Sequence, residues 1–253
     1  MKNQEIELQE NERIDNLDCG KLKIIQNTKF FCFGIDSVLL TEFAKDIKKN
    51  SIVVDLGTGN GILPILLSEK IDAKKIMGVE VQKELVELAN RNIQINSLEN
   101  KIEIIHSNIK EIENKIEKNT IDAIVTNPPY KKINTGIQNE NKHKLIARHE
   151  IEADLDDFIK TSYSLLKDRG TLYMVHRTER LTEIFYYLRK NRMEPKEVRF
   201  VQNTINTPPK LVLIKAVKNA HAFLKIGKTI YIRETDGRES EEIQKIRMER
   251  NQK

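Results

Sequence analysis

From residue 51 onward the chain alternates short, β-branched apolar runs with longer stretches in which apolar residues return every three or four positions. The first pattern fits strands buried on both faces, and the second fits helices with one apolar side. Ser51–Gly57 (SIVVDLG), Lys75–Val81 (KIMGVEV), Lys101–Asn108 (KIEIIHSN), Ile121–Asn127 (IDAIVTN) and Gly170–His176 (GTLYMVH) read as strands. Between and after them, Ile62–Ile71, Gln82–Asn96, Leu155–Lys167 and Thr178–Asn191 read as helices, the second with Leu85, Leu88 and Ala89 at helical spacing. Glu194–Gln202 and Leu211–Asn219 read as two further strands with a short connection. Strands separated by helices require right-handed crossovers, and so a mostly parallel sheet. The expected fold is α/β: a Rossmann-like, doubly wound, seven-stranded, mostly parallel sheet with an antiparallel hairpin at one edge. Ligands then belong at the carboxyl ends of the strands.

Two regions fall outside this alternation. Residues 1–50 read as an N-terminal extension, a hairpin plus a helix packing on the core at 51–220, and residues 221–253 as a charged C-terminal tail. Residues 137–150 read as a polar, charged loop, and the chain shows no internal repeat and no low-complexity linker.

Composition narrows the class only a little. A chain of 253 residues with 39% hydrophobic and 32% charged residues can bury one principal core. No stretch approaches the roughly 18 apolar residues of a membrane span, and the start MKNQEIELQENERID lacks an apolar signal core, so the expected location is cytoplasmic, with no membrane partner. Cys19 and Cys32 form no CxxC pair and have no nearby pair of histidines, which argues against zinc or a catalytic thiol; no metal is expected. The net charge of +5 and pI near 9.0 are compatible with a polyanionic partner, although a lysine-rich composition produces the same balance without one. The oligomeric state stays open, with a monomer favoured.

Chemistry enters at DLGTGNG, Asp55–Gly61, which follows a strand and opens a helix. Gly57, Gly59 and Gly61 permit a tight turn and a close ligand approach to bare backbone. The spacing is GxGxG instead of the GxGxxG of dinucleotide loops, and Asp55 at the strand's end repels a pyrophosphate but suits a cationic or amine-bearing ligand. Glu80, near the end of the next strand, stands where a carboxylate can accept from both hydroxyls of a ribose. Together they imply a nucleoside without phosphates, and S-adenosylmethionine fits that description. Asn108, at the end of the third strand, is placed to accept from an adenine amino group, or else is an ordinary turn residue. Thr58 and Ile109 complete the candidate donor pocket.

The fourth strand ends on Asn127, Pro128, Pro129 and Tyr130. An exocyclic adenine amine is a poor nucleophile because its lone pair is delocalised into the ring. The side-chain oxygen of Asn127 and the carbonyl of Pro128 are two acceptors for its two hydrogens, fixed in advance by the stiff prolines. Tyr130 offers a face on which a flipped base can stack.

These residues resemble class I S-adenosylmethionine-dependent methyltransferases of the NPPY type, with DLGTGNG as the methyl-donor loop, Glu80 as the ribose acid and Asn108 where many relatives carry Asp. Over most of its length the chain is similar to bacterial enzymes that methylate N6 of the adenine next to the anticodon of a valine tRNA. The similar segments are LKIIQNTKFFCFGIDSVLLTEFA, ARHE at Ala147–Glu150, VHRTERLTEIF at Val175–Phe185 and PPKLVLIKAVKNA at Pro208–Ala220. The resemblance implies that Phe33, Gly34 and Asp36 help close the donor pocket, that Arg148 and His149 lie near the target base or RNA backbone, and that tRNA is the partner, while the charge of the loop makes Lys131 and Lys132 candidates for gripping its phosphates. Between Lys131 and Arg148 five Lys/Arg face the single acid Glu140, a pattern equally usual in a solvated loop. Three alternatives stand beside this one: a guanine-N2 methyltransferase of rRNA, whose turn often ends in Phe; a protein glutamine-N5 methyltransferase, which usually carries a separate N-terminal helical domain; and a non-catalytic RNA-binding relative.

Overall fold

A computed structural model describes residues 7–17, 21–30, 34–130 and 153–251. Cys19, Cys32, Phe33, Lys131, Lys132, Arg148 and His149, along with the basic loop expected between Lys131 and Arg148, lie outside the described residues.

The seven expected strands form at Ile52–Leu56 (β3), Lys75–Glu80 (β4), Ile102–His106 (β5), Ile121–Thr126 (β6), Leu166–Arg177 (β7), Met193–Gln202 (β8) and Leu211–Lys218 (β9). Their spatial order is β8-β9-β7-β6-β3-β4-β5. Every neighbouring pair from β7 to β5 is parallel, and β9 runs antiparallel to both β7 and β8. Successive residues of one strand feed opposite faces. Val53 and Val125 join a core with helices α1 (Ile35–Phe43) and α2 (Ile62–Lys70), while Val54 and Ile124 join a second with α4 (Leu155–Leu165) and α5 (Leu181–Lys190). Burial on both faces explains why these strands read as continuous apolar runs. Helix α3 (Lys83–Ile95) connects β4 to β5.

β3 pairs with β4 on one side and β6 on the other. The chain winds outward from β3 to β5 and then returns to the opposite side, so the connections leaving β3 and β6 diverge. Such a divergence opens a crevice at the strands' carboxyl ends. Asp55–Gly61 and Asn127–Tyr130 both emerge there.

Before the core, β1 (Glu12–Asn16) pairs antiparallel with β2 (Lys23–Asn27), and α1 follows. The C-terminal segment departs from the tail expected at 221–253. Two short strands, β10 (Lys225–Ile226) and β11 (Ile230–Tyr231), add in parallel to β8, and α6 (Glu241–Asn251) follows them. Ile230, Ile243 and Ile246 are buried in the core shared with α1 and α2. Thinly scattered among charges, these isoleucines leave little periodic trace in the sequence, but each meets a preformed apolar surface. Among the described residues no helix is long and apolar enough to cross a membrane.

Candidate active site

Gly57, Gly59 and Gly61 all adopt positive φ, at 76°, 58° and 84°, which is why glycine occupies each position. The loop folds back on β4: the N–H groups of Gly57 and Thr58 both donate to the carbonyl of Val79 at 2.9 Å. Gly59 N–H donates to Glu80 Oε2 at 2.9 Å, and Gly61 N–H to the carbonyl of Thr58 at 3.0 Å. With these donors spent internally, the loop does not form the open cradle of N–H groups that a phosphate needs.

Beneath the loop Asp55 is fully buried, and neither carboxylate oxygen has a hydrogen-bond partner. Burial pushes its pKa up to about 7; the adjacent Thr58 hydroxyl opposes the rise and the nearby charge of Glu80 adds to it. Thr58 Oγ1 is likewise buried and makes no well-aligned hydrogen bond. Orphaned acceptors under a turn of bare glycine suit a ligand that brings hydrogen-bond donors and positive charge. S-adenosylmethionine, with its ammonium, sulfonium and ribose hydroxyls, fits this chemistry; a pyrophosphate does not.

Glu80 is nearly buried, its carboxylate held by three backbone N–H groups: Gly59 on Oε2, and Val81 and Gln82 on Oε1 at 3.0 and 2.9 Å. A carboxylate offers about four acceptor positions. One remains on Oε2, room for a single direct ribose contact where the sequence pattern suggested two. Asn108 caps the short 3-10 turn Ile109–Asn114, its Oδ1 accepting from Lys110 N–H at 2.9 Å. The turn role is therefore real, and it uses one of the two acceptor positions of that oxygen. Ile109 is buried beside it in the core.

At the NPPY corner Pro128 is buried and Asn127 half-buried. Asn127 Nδ2 donates to Asp36 Oδ2 at 3.3 Å, and Tyr130 Oη donates to the same oxygen at 2.8 Å. The Oδ1 of Asn127 is buried with no partner. An amide turned the other way would set its oxygen against a carboxylate, so Asp36 fixes the orientation of the amide, with Nδ2 toward the carboxylate and Oδ1 away from it. Burial and the Asp36 charge raise the Tyr130 pKa, and the ring remains a neutral phenol.

The sequence reading did not single out the residues around Tyr130. The Arg177 guanidinium lies 5.2 Å from the centre of its ring, a cation–π contact covering part of the surface on which a base was expected to stack. His176 packs 5.2 Å from it, tilted by 55°. Burial lowers the His176 pKa to about 3, with the Arg180 charge contributing. Nδ1 accepts from Arg177 N–H at 2.7 Å, which leaves the proton of the neutral ring on Nε2, an atom without a partner. Arg180 is forked onto Glu183 at 3.0 and 3.1 Å. Gly78 was also missed. A Cβ there would sit 2.8 Å from Thr58 Oγ1 and from Ile104 Cδ1, so this glycine makes room for the donor loop. A glycine inside an apolar strand was the signal available for it.

The "Methyltransferase small domain" family model matches residues 34–191, more than half of the chain. Relatives include the tRNA1(Val) (adenine(37)-N6)-methyltransferases of Porphyromonas gingivalis, 26% identical over 71% of this chain and 72% of theirs, and of Shewanella sediminis, 25% identical over 91% and 92%. Among solved structures, an Agrobacterium tumefaciens protein described as a predicted O-methyltransferase superposes with a TM-score of 0.70 at 18% identity, covering 85% of this chain and 96% of its own. A SAM-dependent methyltransferase from Aquifex aeolicus superposes at 0.53 and 16% identity, covering 72% and 91%. With a sheet that places a glycine loop and an NPPY corner at one crevice, the chain belongs to the methyltransferase small-domain family, and S-adenosyl-L-methionine is its cofactor.

Proposed function

We propose that the protein methylates the exocyclic N6 amine of an adenine in tRNA, the adenine next to the anticodon of a valine tRNA, and works in the cytoplasm where that tRNA is found. The observation that carries the reading is the buried, unpartnered Oδ1 of Asn127, whose amide nitrogen is held by Asp36. It is supported by the names of the tRNA-modifying relatives.

When bound, S-adenosyl-L-methionine supplies a methyl carbon on a cationic sulfur. Asn127 Oδ1 and the Pro128 carbonyl accept the two amine hydrogens, which draws the nitrogen lone pair out of conjugation. That pair would be taken at the donor's methyl carbon, with the electrons of the broken C–S bond kept on its sulfur. Positive charge develops on nitrogen, and two oxygens fixed in advance stabilise it without reorganising. The proton leaves afterwards to water, so no side chain has to act as a base in the methyl-transfer step. In the donor pocket Glu80 and Asn108 hold the nucleoside, Gly57, Gly59 and Gly61 let it approach, and Asp55 and Thr58 supply the acceptors beneath. Tyr130, with Arg177 alongside, borders the flipped base. Lys131, Lys132, Arg148 and His149 grip the RNA backbone, so affinity should fall with salt.

The test is incubation with labelled methyl donor and unmodified tRNA, followed by digestion to nucleosides. Label in N6-methyladenosine is expected. Label in methylguanosine, or in protein alone, rejects the reading, and donor binding with no transfer points to a non-catalytic relative.

A further inference from the structure

Asp36 was expected at the donor pocket, yet its contacts run to the acceptor side. It sits in the first turn of α1, outside the alternating core, and is only 7% exposed. One oxygen, Oδ2, accepts from both Asn127 Nδ2 and Tyr130 Oη. The other, Oδ1, accepts from Ser37 N–H at 3.2 Å. A Cβ on Gly34 would stand 2.8 Å from Oδ1, so the glycine in front of the helix leaves space for this orientation. The carboxylate is thus held from its own helix and turned toward the NPPY corner.

We propose that Asp36 is a positioning residue for methyl transfer: it fixes the Asn127 amide with its oxygen toward the substrate amine and, by accepting from Nδ2, increases the electron density on that oxygen. The inference rests on Asn127 acting as the amine's acceptor. An isolated amide can turn over and present its NH2 group, which would repel an amine hydrogen. Bonded to a carboxylate it cannot turn without losing a charge-assisted hydrogen bond and setting oxygen against oxygen. Electron density drawn toward Oδ1 then acts where the nitrogen becomes positive, and the buried site keeps that effect from being screened by water. The same carboxylate oxygen anchors Tyr130, which ties the ring bordering the base to the group that binds its amine. An N-terminal helix therefore completes an acceptor site that the strand β6 alone leaves under-determined.

The experiment compares wild type with Asp36→Asn, which preserves shape but can donate as well as accept. Single-turnover methyl transfer to unmodified tRNA, S-adenosylhomocysteine affinity by calorimetry, and the side-chain amide proton shifts of Asn127 by NMR are measured on each. Expected are a fall of about 10–100-fold in the transfer rate at saturating RNA, donor-product affinity within about twofold, and a moved Asn127 amide signal. An unchanged rate, or an unchanged Asn127 signal, overturns the proposal. So does a parallel loss of donor-product affinity, which would make Asp36 a donor-pocket residue. The amide signal needs no substrate, so it is decisive even if wild type leaves adenine unlabelled and the tRNA reading fails; if D36N does not fold, the Asn127 amide of wild type, shifted downfield by a carboxylate or not, decides it.

Discussion

Asn92, in the middle of α3, hydrogen-bonds both backbone groups of Ile25 in β2: its Oδ1 accepts from Ile25 N–H at 2.6 Å and its Nδ2 donates to the Ile25 carbonyl at 3.1 Å. One turn on, Asn96 treats Lys23 in the same way, at 2.8 Å for each bond. Four residues of helix rise about 6 Å and two residues of strand about 6.6 Å, so two asparagines can stand in for a neighbouring strand. Asn92 also donates to the carbonyl of Asn60 at 2.9 Å, which fastens the hairpin to the donor loop. Asn92→Ala removes these buried bonds and leaves backbone groups unpaired, at a cost of roughly 2–4 kcal/mol. Thermal melts should show Tm lowered by roughly 5–15 °C, together with weaker donor binding by calorimetry. A variant as stable as wild type would remove the hairpin from any role in supporting the loop.

Asp55 makes stability depend on pH. Its carboxyl rises from 3.8 unfolded to about 7 folded, so between those values the folded protein keeps a proton that the unfolded chain has released. The contribution is complete below the unfolded value and is lost as pH rises through the folded one, by about 1.4 kcal/mol per unit across that window. Donor-free protein should therefore melt at progressively lower temperature from pH 5 to pH 8, and Asp55→Asn should flatten the slope. Parallel slopes for the two proteins would show that another group carries the dependence.

Asn127→Ala keeps the prolines but deletes the orphaned acceptor. Single-turnover methyl transfer should drop by about 100–1000-fold, with donor affinity measured by calorimetry nearly unchanged. If affinity falls as far as rate, Asn127 shapes the donor pocket instead.

Gly78 tests the fit between β4 and the donor loop. Gly78→Ala places a methyl group 2.8 Å from both Ile104 Cδ1 and Thr58 Oγ1, so Thr58 and its loop must shift. Overpacking of this kind costs about 1–3 kcal/mol. Chemical denaturation should register that loss, and donor affinity should weaken with it; full donor affinity in the variant would mean that the loop adapts without cost.

What the sequence determined by itself is encoded within short windows. Alternation of apolar runs and helical spacings placed all seven core strands, and the three glycines of DLGTGNG announced backbone that only glycine adopts freely. Asn127 to Tyr130 declared a rigid corner because proline restricts the chain wherever it stands. The tertiary structure alone decided what those features meet. Asp36 reaches Asn127 across 91 residues, and Asn92 reaches Ile25 across 67. Asn108 caps a turn with its oxygen, Glu80 turns most of its acceptors to backbone, and the isoleucines of 230–246 find a core beside β8. A hydrogen bond or an apolar contact between distant segments is fixed by where the crossovers carry them. No local pattern of side chains can record that, because the pairing exists only once the sheet has brought its carboxyl ends together.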